Sequence, residues 1–235
     1  MTFSSRWLRC LSLMTVALGL VFGGSVGTPL VSAEDALPVL LSEDFEQGAD
    51  RWQPLDAAQW KVKKGEKGQV YSQHEKKSGY KPPHRSPTNI ALLKEIVVGD
   101  LDLSVKVQST HSDYVHRDAC VVFGYQDPAH FYYVHLGKQA DDHANQIFIV
   151  NNAARKKISL TSTEGTNWDD EWHTIKVSRR LQDGTIAIYF DDMKQPVMTA
   201  KDDTFGAGRI GIGTFDDTAD FDQVEVRGTK GERAK

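Results

Sequence analysis

The segment Phe131-Tyr132-Tyr133-Val134-His135-Leu136 carries the most suggestive chemistry in the chain. An extended backbone sends alternate side chains to opposite faces. If Tyr132, Val134 and Leu136 face a core, then Phe131, Tyr133 and His135 present two rings and an imidazole on the other side. Ring faces stack on C–H surfaces, while an imidazole donates to or accepts from hydroxyls, so such a face suits a sugar. Asp142, His143 and Asn145 follow closely and would rim the same groove. Reversed parity is one alternative. The other is a face covered by the loop of residues 73–89, since a period of two does not say which face is open.

Other chemistries find less support. Hydrolysis of a glycosidic bond uses two carboxylates at a fixed separation. The nearest approach to such a pair is Asp220-Phe221-Asp222 followed by Glu225, but strict alternation puts Glu225 on the face opposite Asp222. The doublets Asp141-Asp142, Asp169-Asp170, Asp191-Asp192, Asp202-Asp203 and Asp216-Asp217 fall between apolar runs and read as turn formers. Gly206-x-Gly208-x-x-Gly211 matches a dinucleotide-binding fingerprint in letters only. It leads into a strand, whereas a pyrophosphate site needs a following helix. The spacing of His130, His135 and His143 is not that of a structural zinc site. Cys120, within Ala-Cys-Val-Val-Phe, reads as a buried thiol.

These residues sit in a chain of short apolar runs separated by Gly, Asp, Asn and Pro. Leu101 to Val107 alternates strictly, the mark of a half-buried strand. Ala119 to Tyr125 and Phe131 to Leu136 flank an Asp127-Pro128 turn. Ile147–Val150, Ile175–Val177, Ile186–Phe190, Ile210–Gly213 and Phe221–Val226 add further strands, and weaker ones are expected near residues 39–45, 60–62, 70–72 and 90–97. No amphipathic helix interrupts them, so the expected fold is all-β, a two-sheet antiparallel β-sandwich. The polar stretch 73–89, with His74, Tyr80, His84 and Arg85, is long for a loop, and such loops are usually functional or mobile.

The first residues have the form of an export signal. Arg6 and Arg9 precede the uncharged run Leu11–Val26, and Val31-Ser32-Ala33 offers a small-residue cleavage site, so maturation is expected to leave Glu34 first. Domain boundaries follow: a signal peptide at 1–33, a linker at 34–39, one sandwich at 40–228 and a disordered charged tail at 229–235. The expected location is secreted or periplasmic, with no membrane attachment after cleavage. Cleavage removes two arginines and no acids, taking the net charge from −4 to −6, which argues against a nucleic-acid partner.

Three stretches resemble the concanavalin A-like lectin/glucanase superfamily. Trp172-His173-Thr174-Ile175-Lys176-Val177 with Asp183-Gly184-Thr185-Ile186-Ala187-Ile188-Tyr189-Phe190-Asp191 looks like its paired-strand pattern. Phe123-Gly124-Tyr125-Gln126-Asp127-Pro128 with Phe131-Tyr132-Tyr133 is similar to its hairpin, and Gly208-Arg209-Ile210-Gly211-Ile212-Gly213 with Phe221–Val226 resembles its closing strands. The resemblance implies a jelly roll and a carbohydrate-binding or carbohydrate-processing protein with a glycan or polysaccharide partner. It equally covers hydrolases of the 3-keto-disaccharide type, for which His135 or His143 would be the acid–base group, and laminin G-type protein-binding modules. Carbohydrate-binding modules of this kind also tie their terminal strands with a structural Ca2+, which by resemblance implicates Glu46 and Asp222. Hard oxygen donors suit that ion.

Overall fold

The computed structural model describes residues 36–232, so the expected signal peptide and its cleavage site lie outside the described residues. The strands are β1 (Val39–Glu43), β2 (Trp52–Pro54), β3 (Trp60–Lys64), β4 (Gln69–Gln73), β5 (Asn89–Leu93), β6 (Val98–Ser109), β7 (Asp118–Asp127) and β8 (His130–Gly137). They continue with β9 (Gln146–Asn151), β10 (Lys156–Lys157), β11 (Ser159–Ser162), β12 (Trp172–Arg179), β13 (Thr185–Phe190), β14 (Met198–Lys201), β15 (Arg209–Thr214) and β16 (Ala219–Lys230). One sheet runs β11-β14-β13-β12-β6-β16-β4-β3, with β1 also paired to β16; the other runs β10-β9-β8-β7-β15-β5-β2. All pairings are antiparallel, and the two sheets form the expected sandwich. Among the described residues no helix is long and apolar enough to cross a membrane.

The alternation in β6 does what the sequence demands. Leu101, Leu103, Val105 and Val107 point between the sheets, opposite Ile175 and Val177 of β12 and Phe221 and Val226 of β16. From the seven-stranded sheet, Ala119, Val121, Phe123, Tyr132, Val134 and Leu136 meet them in the same core. Arg179 is also buried at this level. Its guanidinium lies 4.8 Å from the Tyr132 ring and donates to the carbonyls of Phe205 and Gly206. The Tyr132 hydroxyl bonds Asp202 and accepts from the Phe205 amide at 3.0 Å, so these groups pin the glycine-bearing segment that leads into β15. Gly206, Gly208 and Gly211 are turn and strand-packing residues there, with Gly208 bridged to Val98.

The seven-stranded sheet is apolar on both faces. Its outward side carries a second cluster of Ile90, Leu92, Cys120, Val122, Tyr125, Phe131, Tyr133, Phe148 and Val150, against which Leu55 and Phe215 pack. A strand buried on both sides reads as a continuous apolar run rather than an alternating one. Ala119-Cys120-Val121-Val122-Phe123 is such a run. Neighbouring strands approach closely here. A methyl group on Gly213 would collide with the Asn89 carbonyl of β5, so Gly213→Ala is expected to cost about 1–3 kcal/mol in equilibrium unfolding, as overpacking does.

Two boundaries and one register differ from expectation. Val39 already belongs to β1, and Thr229 and Lys230 belong to β16, so the 34–39 linker and the 229–235 tail are both drawn too long. The Thr229 hydroxyl accepts from the Asp100 amide at 2.9 Å, which holds the end of β16 in the sheet. The third concerns β16 itself. A bulge between Asp222 and Glu225, with Gln223 at φ +46°, adds a residue and resets the alternation. Phe221, Val224 and Val226 all enter the core, so Asp222 and Glu225 share the outer face rather than facing opposite ways.

Candidate functional site

Tyr132, Val134 and Leu136 do face the main core, and Phe131, Tyr133 and His135 do face the other side. The expectation that this other side is open fails. Phe131 is 1% exposed and Tyr133 0%, because both are built into the second apolar layer. Phe131 packs on Tyr125, and the Tyr133 ring stacks on Phe148 with centroids 5.1 Å apart. Residues 74–88 are part of the cover and are docked rather than loose. The Gly79 amide donates to Asp56 at 2.6 Å, the Asn89 side chain to the Lys76 carbonyl, and the Arg155 amide to the Arg85 carbonyl. Tyr133 is therefore no stacking platform for a ligand. Burial drives its phenol far above the ordinary range, and its hydroxyl accepts from the Arg155 guanidinium at 3.0 Å.

At one end of this covered layer a recess of about 380 Å3 remains open. His135 and Asp118 form its buried part, Phe215, Tyr114 and Ala144 supply apolar wall, and Arg85, Arg155, His116, His143, Asp141 and Asp216 complete the lining. The geometry follows from β7 and β8. Cys120 pairs across the ladder with His135, and Asp118 lies two residues before Cys120, so all three emerge on the outer face. The His135 ring stacks parallel to Phe215 with centroids 5.5 Å apart. Its Nδ1 lies 2.9 Å from the His143 carbonyl, which can only accept, so Nδ1 carries a proton. Its Nε2 lies 3.1 Å from Asp118 Oδ2 without the alignment of a hydrogen bond.

Asp118 is held firmly. Its Oδ1 accepts from the Phe215 amide at 3.0 Å, and its own amide donates to Asp217 Oδ2 at 3.0 Å. Asp217 is fully buried and accepts from the Tyr114 hydroxyl at 2.6 Å. Burial and the adjacent Asp118 charge raise Asp217 above the usual carboxylate range. Arg155 is braced by the Tyr133 hydroxyl and by the rings of Phe148 and Phe215, 4.8 and 4.4 Å from its guanidinium carbon. The recess thus offers a fixed carboxylate, two guanidinium groups, imidazoles and an aromatic wall. Those groups can hold a polyhydroxylated ring by paired donors and acceptors with a stacking face.

Of the residues singled out in the sequence, His135 and His143 meet in this recess, while Phe131 and Tyr133 belong to the covered apolar layer. Asn145 is fully buried at φ +52°, its amide donating to the Thr163 carbonyl at 3.0 Å, and serves a turn rather than the recess. Asp118, Arg155 and Phe215 carry no sequence motif that marks them for the recess. Arg85 comes from the long polar loop 73–89. The signal for Asp118 was a charged residue opening an otherwise apolar strand.

Glu46 and Asp222 lie near the junction of β1 and β16. Glu46 Oε1 accepts from the Gln69 amide at 2.6 Å, and Asp222 Oδ1 from the Gln223 amide at 2.7 Å. Burial raises Asp222 above the usual carboxylate range, and the negative charges of Asp44 and Glu46 add to the effect. The Lys106 ammonium offsets part of that effect, and among the described residues no group of three acidic side chains converges here.

No known family model matches the chain, and no curated protein sequence does. Solved structures do resemble it. The carbohydrate-binding module CBM66 from Bacillus subtilis superposes with a TM-score of 0.54 at 16% identity, over 76% of this chain and 96% of that one. Domain 4 of AbnA, an extracellular GH43 arabinanase of Geobacillus stearothermophilus in complex with arabinotriose, gives 0.54 at 10% identity, over 85% and 96%. A Bacillus subtilis protein of unknown function with a galectin-like fold gives 0.53 at 10% identity, over 84% and 99%. At these identities the likeness is one of fold, and the chain is a β-sandwich of the shape these carbohydrate-binding and galectin-like domains share.

Proposed function

We propose that this is an exported glycan-binding β-sandwich whose recess at the end of β7 and β8 receives a sugar unit. The observation that carries the reading is the joint presence, in one recess of about 380 Å3, of buried Asp118, braced Arg155 and the Phe215 wall. That size lies near the lower end of ordinary ligand pockets, about 300–1,000 Å3, and suits a chain end or short oligosaccharide rather than a long polymer groove. CBM66 and the arabinotriose complex of AbnA domain 4 support the ligand class through the shared fold. A glycan array probed with wild-type protein and with Asp118→Asn tests the reading. Selective binding by the wild type, lost in the folded variant, is expected; no binding across the array would contradict it.

A second reading, hydrolysis, is favoured by His135 and Asp118 lining one recess, an imidazole and a carboxylate of the kind an acid–base step uses. Release of free sugar from 3-keto-disaccharides, abolished in His135→Gln, would establish it over binding alone.

The acids near the β1–β16 junction support a structural Ca2+ held through Glu46 and Asp222. Ligands that bind only the folded state raise its stability by mass action. Excess Ca2+ is expected to raise the unfolding midpoint above that in chelator, and Asp222→Asn to remove the difference. Identical midpoints for the wild type would leave these acids as caps of the Gln69 and Gln223 amides.

A further inference from the structure

Asp118, Cys120 and His135 have ligand atoms that all lie within 4.8 Å of one another, and all three residues are buried. Among the described residues no other group of three or more His, Cys, Asp and Glu side chains converges in this way. We propose that they form a transition-metal site, with Zn2+ as the ion the donor set fits best, set in the floor of the recess.

The His135 imidazole is the telling group. Its side chain is 7% exposed, and its Nδ1 must donate to the His143 carbonyl. In the neutral ring Nε2 then presents a lone pair, 3.1 Å from a carboxylate oxygen of Asp118, and it has no hydrogen-bond partner. Two acceptors this close in a buried place repel unless a proton or a metal ion lies between them. For ligand bonds of about 2.0–2.1 Å at a tetrahedral centre, an N···O edge of roughly 3.3 Å is required, close to the separation seen. A metal-ligating histidine characteristically donates its other ring N–H to a carbonyl, which fixes the tautomer, and ligating carboxylates are themselves hydrogen-bonded. Both conditions hold, through the His143 carbonyl and the Phe215 amide.

The chemistry of the set selects the ion. One sulfur, one imidazole nitrogen and one carboxylate oxygen form a borderline-soft trio that Ca2+ and Mg2+ do not favour and Zn2+ does. On binding, Cys120 gives its thiol proton to solvent. The resulting thiolate, Asp118 carboxylate, neutral imidazole and Zn2+ sum to no net charge in a buried place. Three protein ligands leave a fourth position, and Asp118 and His135 line the open recess, so that position is available to water or to an oxygen of a ligand. This inference concerns the metal alone and stands whether or not the recess binds a glycan.

The test uses the whole purified chain, stripped with chelator and titrated with Zn2+ and, separately, Co2+. One Zn2+ per chain is expected, and Co2+ should give a near-ultraviolet thiolate-to-metal band with visible bands of tetrahedral intensity. Cys120→Ala should abolish the thiolate band, and His135→Gln should weaken Zn2+ binding at least tenfold, with folding checked by circular dichroism. The wild-type cobalt spectrum decides even if a variant fails to fold. Absence of stoichiometric Zn2+, or a weak octahedral cobalt spectrum without a thiolate band, would overturn the assignment. Unchanged binding in folded Cys120→Ala and His135→Gln would do so too.

Discussion

Tyr133→Ala is expected to destabilise the protein by about 3–5 kcal/mol, the cost of truncating a large buried ring and leaving a cavity. Tyr133 is 0% exposed, stacked on Phe148 and packed near Phe131, so the ring is enclosed by other rings of the layer. The loss falls on a layer outside the main core, yet that layer is as dry as the core. Tyr133→Phe separates the ring from its hydroxyl. It keeps the packing and removes the bond to Arg155, so unfolding should change by no more than about 1.5–3 kcal/mol, the net worth of one hydrogen bond to a charged group. Denaturant unfolding of the two variants side by side checks both numbers. A Tyr133→Ala protein as stable as the wild type would mean that the second layer is not closed.

Arg155→Ala is the second large effect, and it falls on binding. The guanidinium is held by the Tyr133 hydroxyl and two rings with its charge at the recess, so a ligand meets a donor already ordered. Preorganised donors give more because less entropy is lost on binding. A hydrogen bond to a charged group contributes about 1.5–3 kcal/mol, so glycan affinity should fall roughly 10- to 150-fold. Arg155→Lys should recover little of it, since an ammonium lacks the planar fork and the stacking surface. Titration calorimetry of the three proteins with one array-identified oligosaccharide measures this. Equal affinities for wild type and Arg155→Ala would remove Arg155 from the site.

Much of the sandwich is legible in the sequence because its signals are local. The alternation of Leu101 to Val107 and the Asp127-Pro128 turn each carry their own strand assignment, and Asp127 indeed caps that turn through the Ala129 amide. The short strands β2, β10, β11 and β14, all but the last at sheet edges, have too few residues for a period to declare itself. The bulge at Gln223 escapes for a different reason. Nothing in Asp-Gln-Val-Glu announces the extra residue, and one inserted residue reverses every face beyond it.

The site was half visible. Parity along β8 follows from its pattern, but openness depends on what packs against the sheet from distant segments: Leu55, residues 74–88, Arg155 and Phe215. A hint was present in the unbroken apolar runs of β7 and β9, which contrast with the clean alternation of β6 and mark strands covered on both faces. Asp118 and Arg155 reach the recess only through pairing across the sheet and a return of the chain. No spacing in the sequence brings them to His135.

The central claim is that the recess, and not the broad polar face of the nine-stranded sheet, receives the glycan. Two-dimensional amide NMR during titration with the array-identified oligosaccharide tests it most directly. Saturable shifts at Asp118, His135, His143, Arg155 and Phe215, absent in Arg155→Ala, are the predicted result. Shifts centred instead on Trp172, Lys106 and Asp222, which line a separate depression on the other sheet, would contradict it.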